Sequence, residues 1–151
     1  MRAKQGDAQM SIFPTKILLA TDGSREASLA ATTAVDLAKS TNSELHVVHV
    51  GEFEPTILAA TEEEPVQLER EAQKLLDEQS RSIEQAGGTV KEAHLRLGRA
   101  GEEILEVAEE IGTGLIVMGS RGRGRIRRAL LGSVSDSVVR HAHCPVTIVR
   151  E

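Results

Sequence analysis

Five short apolar runs punctuate this chain, and most of the segments between them repeat apolar residues every three or four positions. Lys16-Ile-Leu-Leu-Ala20 is the first run; its unbroken apolar character predicts a strand buried on both faces. Thr21-Asp22-Gly23-Ser24 follows as a turn cluster, with Ser24 placed to cap a helix. Ala27, Ala30, Ala31, Ala34 and Ala38 then recur at helical spacing, and Val35 and Leu37 widen the stripe. Residues 45–50 (Leu-His-Val-Val-His-Val) are short and rich in β-branched side chains, predicting a second strand. Residues 51–64, with Gly51, Pro55 and an acidic run at 62–64, read as a surface loop. Pro65 then opens a helix, because its fixed φ suits a first turn. Leu68, Ala72, Leu75, Leu76, Gln79, Ile83 and Ala86 mark one face of that helix, and Gly87-Gly88 end it.

Residues 89–97, bounded by glycines, predict a third strand. Ile104, Leu105, Val107, Ala108 and Ile111 give a third helix closing near Gly112, and residues 115–118 a fourth strand. A glycine- and arginine-rich loop runs from Gly119 to Leu131, a fourth helix from Ser133 to His141, and a last strand from Pro145 to Val149. Strands separated by helix-length segments must cross over, so they pair in parallel with helices on both faces. The order predicts a single-domain α/β fold: an open, doubly wound, Rossmann-like sheet of five mainly parallel strands. Ligands of such sheets sit at the carboxyl ends of the strands, where the strand order reverses. That rule singles out the segment from Thr21 to Ser24 and the one from Gly119 to Ser135.

Composition narrows the function. The chain has 151 residues, 40% apolar and 27% charged, with a formal charge of −5, which disfavours a wholly basic nucleic-acid binder. Phe13 and Phe53 are its only aromatic residues, too few for base-stacking platforms. Cys144 is the single cysteine, so no intrachain disulfide framework forms, and a reducing compartment fits. Residues 1–12 are mostly polar and lack a signal-peptide core, and no aliphatic run is long enough to span a bilayer. The expectation is a cytoplasmic protein with no membrane association, its residues 1–12 a flexible leader and 13–151 the folded domain. Met10 is an alternative start.

Gly119-Ser-Arg-Gly122 is followed by nine residues and then Gly132-Ser133. Glycines let backbone approach a ligand closely. The first N–H groups of the helix opening at Ser133 lack internal partners and carry the positive dipole end, which suits phosphate oxygens. Ser133 and Ser135 offer hydroxyl donors, and Asp136 stands where a capping box places its acid. A loop followed by a capped helix is the plainer reading of the same residues. A Walker loop is excluded because Arg125 and Ile126 follow Gly124. A dinucleotide fingerprint is excluded because position 127 is arginine.

The pattern Gly-x2-Gly-x9-Gly-[Ser/Thr], late in a five-strand α/β chain, resembles the ATP-binding branch of the universal stress protein family. Lys16-Ile-Leu-Leu-Ala-Thr-Asp-Gly-Ser24 is similar to that family's opening strand, Leu115-Ile-Val-Met-Gly-Ser-Arg-Gly122 to its fourth strand and loop, and His143-Cys-Pro-Val-Thr-Ile-Val149 to its closing strand. The resemblance implies that Asp22 lies near the adenine and ribose, with backbone of Ala20, Thr21 and Val50 fixing the base. Met118 and Gly119 would line the nucleoside side of the cleft. Arg121 and Gly122 would border the phosphates, and Gly132, Ser133, Val134 and Ser135 would cradle them. Some members carry histidine where this chain has Arg121. The resemblance also implies ATP with Mg or Mn held by its phosphates, and a homodimer formed by antiparallel pairing of the strand from Pro145 to Val149.

Asp22 at a strand end reads as a binding ligand, as a turn-forming Asx residue, or as a nucleophile. Arg121, Arg123, Arg125, Arg127 and Arg128 reverse the chain's overall negative charge locally and call for an anion, ATP phosphates before nucleic acid. His141-Ala-His143-Cys144 has no second Cys/His cluster to complete a zinc set, so it reads as helix-end histidines and a packed thiol. His46 and His49 fall on opposite faces of their strand, which spoils a simple pair, and no metal-ligating set is expected. Phosphoryl transfer needs metal ligands and a base or water-orienting group, and Asp22 is the one carboxylate placed nearby. The expected function is therefore ATP binding as a regulatory signal in a stress response, without an evident catalytic constellation. The rivals are a nucleotide-independent dimeric scaffold and an RNA-contacting module.

Overall fold

The computed structural model describes residues 11–53, 63–120 and 131–151. Its elements are β1 (Lys16–Ala20), α1 (Arg25–Thr41), β2 (Glu44–Glu52), α2 (Glu63–Gln85), β3 (Val90–Gly98), α3 (Ala100–Ile111), β4 (Leu115–Gly119), α4 (Ser133–His141) and β5 (Val146–Val149). The strands lie in the order β3-β2-β1-β4-β5. Every pairing is parallel. The chain thus winds outward from β1 in one direction, returns to β4, and winds outward in the other. The reversal falls between β1 and β4.

Alternation along the central strands splits the core into two layers. Ile17, Leu19 and Val47 pack with Ala30 and Ala34 of α1 and Leu76 and Ile83 of α2. Leu18, Val48 and Ile116 pack with Ile104 and Val107 of α3 and Val138 of α4. The alanine stripe of α1 is fully buried at Ala30 and Ala34, so small side chains let that helix sit close to the sheet.

Helix ends follow local chemistry in two places. Ser24 caps α1, its Oγ accepting from Ala27 N at 3.1 Å. Replacing it, Ser24→Ala, removes that acceptor, and a loss of about 1 kcal/mol is expected, read as a lower urea midpoint at unchanged slope. Gly112 closes α3 in the left-handed region at φ 70°, its N–H reaching Ala108 O and Glu109 O.

Three expectations are corrected. β2 runs on through Gly51 and Glu52, which pair with Leu97 and Gly98, instead of ending at Val50. Gly51 serves close packing and not a turn: a Cβ there would stand 2.8 Å from Leu97 Cδ2 and 3.1 Å from Ala72 Cβ. α2 begins at Glu63, ahead of Pro65. A proline is tolerated in a first turn because N–H groups there have no acceptor within the helix. Finally, the capping box on α4 does not form. Gly132 occupies the cap position, with no side-chain cap bond, and Asp136 N donates to Gly132 O at 2.9 Å as the first bond of the helix.

Candidate functional site

A cleft of about 570 Å³ opens at the carboxyl ends of β1, β2 and β4, at the reversal of strand order. Ala20, Thr21, Asp22, Val50, Met118, Gly119, Gly132, Ser133, Val134 and Ser135 all line it, bringing together segments far apart in sequence. Arg121 and Gly122, and the rest of the arginine cluster, lie outside the described residues.

The β1–α1 turn forms one wall. Thr21 N donates to Val48 O at 3.0 Å, and Thr21 O accepts from His49 Nδ1 at 2.8 Å. A carbonyl only accepts, so His49 carries a proton on Nδ1. Thr21 Oγ1 donates to Gln79 Oε1 at 3.0 Å, tying the turn to α2. Asp22 Oδ1 accepts from Ser24 N at 2.9 Å, an Asx turn, and Gly23 supplies the positive φ of 77° that the reversal needs. Asp22 is therefore a turn former in this structure, and the residue also lines the cleft.

The opposite wall is the start of α4. Ser133, Val134 and Ser135 present first-turn N–H groups that have no acceptor within their own helix. The two serines differ. Ser133 is exposed, whereas Ser135 is buried and donates its hydroxyl to Ser120 O at 2.5 Å and Gly132 O at 3.1 Å. A hydroxyl has one proton, so Ser135 offers the cleft its backbone N–H and not the side-chain donor expected of it.

Ser120 joins the β4 end to these walls. Its N–H donates to Val149 O at 3.0 Å, its hydroxyl to the buried carboxylate of Glu26, and its carbonyl accepts from Gly132 N at 2.7 Å. β5, α1 and α4 are thus held to one buried residue. Glu26 sits in the first turn of α1, where the helix dipole favours its charge. Gly119 is required by that packing, since a Cβ would stand 2.9 Å from Glu26 Cβ and 3.1 Å from Glu26 C.

Sequence reading missed Ser120, His49 and the apolar floor contributed by Leu68, Ala72 and Leu75 of α2. The α2 side chains were legible as one helix face but not as a wall of the site. His49 carried a parity signal and nothing to show its bond to Thr21. Among the described lining residues the charged side chains are Asp22, Glu52 and Glu71, with no lysine or arginine. Cys144 packs half-buried beside the α3–α4 layer, where burial pushes its thiol pKa up, so it is a packing residue. His141 Nδ1 bonds Ser137 O at 2.9 Å, as helix-end histidines do. No helix among the described residues is long and apolar enough to cross a membrane.

Comparison with known proteins agrees with this geometry. The chain is 34% identical over 140 residues to the universal stress protein MJ0531 of Methanocaldococcus jannaschii, covering 90% of this chain and 82% of that one. Its fold is similar to that of the hypothetical protein MJ0577, with a TM-score of 0.79 at 30% identity over 92% of this chain and 97% of the other. It is also similar to a universal stress protein crystallised in complex with cAMP, with a TM-score of 0.70 at 25% identity over 92% and 98% of the two chains. Residues 14–150 match the universal stress protein family, and with the fold and these relatives in agreement, the chain belongs to that family.

Proposed function

We propose that this protein binds ATP in the cleft between β1 and β4 and uses it as a conformational, regulatory ligand in a cytoplasmic stress response. One observation carries the reading: a single cleft combines an apolar floor with a row of helix N–H groups. Val50, Met118, Ala72 and Leu75 suit a flat base, and Ser133, Val134 and Ser135 suit phosphate oxygens. Its volume of about 570 Å³ falls within the usual range for small-molecule sites. The relative held in complex with cAMP supports an adenine nucleotide as the ligand class. With no cation on the described lining, a triphosphate needs Mg or Mn on its phosphates, or arginines such as Arg121, to offset its charge. Asp22 already accepts a bond within its own turn, which suits shaping the base pocket better than attacking a phosphate.

Calorimetric titration of ATP with Mg or Mn into nucleotide-free protein tests this. A saturable heat with one nucleotide per chain is expected. Absence of heat, together with no adenine in an acid extract of freshly purified protein, would overturn the assignment and promote the scaffold reading.

The same proposal includes a homodimer. β5 is an edge strand whose residues Val146, Thr147, Ile148 and Val149 are only half-buried. Antiparallel pairing with a second copy would satisfy that edge through a self-complementary two-fold contact. Light scattering at micromolar concentration is expected to give the dimer mass; a monomer would contradict it.

A further inference from the structure

The amino-terminal half of β2 carries a second constellation, away from the cleft. After a register irregularity between Leu45 and His46, His46 lies opposite Glu92 of β3, and His94 follows two residues later on the same face. His46 Nδ1 and His94 Nε2 are 3.2 Å apart, with the rings stacked at a centroid distance of 5.5 Å. Glu92 Oε1 stands 3.4 Å from His94 Nε2 and 4.0 Å from His46 Nδ1. Among the described residues this is the one group of three His, Cys, Asp or Glu side chains with its ligand atoms so gathered.

We propose that His46, His94 and Glu92 bind a divalent ion of the zinc class, held across β2 and β3. Zinc bonds imidazole nitrogen and carboxylate oxygen at about 2.0–2.2 Å, which puts neighbouring tetrahedral ligand atoms about 3.4 Å apart. The three separations bracket that edge. The outer contacts fit as well. His46 Nε2 lies 3.1 Å from Glu44 Oε1. An ionised carboxylate only accepts, so His46 carries its proton on Nε2 and directs the Nδ1 lone pair into the group. A carboxylate behind a ligating imidazole is the usual support that fixes ring and tautomer. Glu44 and Glu92 together would balance a dication.

The two imidazoles are sheltered and the carboxylate is open to solvent. The His46 and His94 side chains are 5% and 10% exposed, whereas Glu92 is 62% exposed, so an ion enters past the carboxylate onto two sheltered nitrogens. Three protein ligands leave a fourth position for water or an external group. Because β3 is an edge strand, the ion would pin that edge to its neighbour.

The test uses the untagged, chelator-treated, nucleotide-free chain, titrated with Co²⁺ and then Zn²⁺. One equivalent of Co²⁺ is expected to give a visible tetrahedral spectrum that Zn²⁺ abolishes by displacement. Glu92→Gln and His94→Ala should each weaken Zn²⁺ binding at least tenfold. Glu44→Gln should weaken it about 10–100-fold while the spectrum stays tetrahedral. His143→Ala should change nothing. Glu92 is exposed, so its variant keeps the fold and carries the test even if His94→Ala does not. Absence of stoichiometric binding to the native chain, or native affinity in Glu92→Gln, would overturn the proposal.

Discussion

Saturating ATP is expected to raise the melting temperature by about 5–10 °C. A ligand that binds only the folded state stabilises it by about 2.7 kcal/mol at a hundredfold excess over its dissociation constant. In a chain of 151 residues, each kcal/mol moves the midpoint by roughly 2–4 °C. Mg or Mn alone is the control for ion effects. The chain has no Trp or Tyr, so adenine retained through purification would dominate its near-ultraviolet spectrum. A flat melting curve at millimolar ATP with either ion would count against the cleft as a nucleotide site.

Gly132→Val is expected to abolish ATP binding and leave the fold standing. Gly132 has φ −73° and ψ 168°, extended backbone that any residue adopts, so the glycine is not there for its conformation. Valine also keeps the N–H that bonds Ser120 O. What changes is space, because Gly132 lines the cleft beside Ser133, Val134 and Ser135 and a valine there adds bulk next to their N–H groups. Hydrogen bonds to a charged group are worth about 1.5–3 kcal/mol each. Losing two of them weakens binding by more than about a hundredfold. Cap substitution should cost at most about 1 kcal/mol of stability, so circular dichroism and denaturation separate the effects. Equal affinity in the variant would move the phosphate site elsewhere.

The sequence carried the element order because each signal was local. The apolar run at Ile17–Leu18–Leu19, the alanine stripe of α1 and the cap at Ser24 depend on neighbours within a turn or two. The same locality explains the misreadings. Gly51 looked like a breaker because glycine usually is one, and its reason for being there belongs to Leu97 and Ala72. Ser120 looked like one more small residue in a glycine loop, yet its partners are Val149, Gly132 and Glu26. On its own strand His46 has only His49 for comparison, whereas its partner is His94 on the next, placed there by an irregular register no local pattern displays. Cleft-lining residues on the β1–α1 turn and the α4 start were legible as candidates because strand ends and helix starts have fixed chemistry. Residues that join elements were not.

The bond from Gly132 N to Ser120 O fastens the two ends of the arginine-bearing segment at one point. The sheet holds one of those ends through the Ser120 N–H to Val149 O bond, and α4 holds the other. That closure ties the end of β4 to the start of α4 by main-chain atoms alone, so it survives side-chain substitution at either residue.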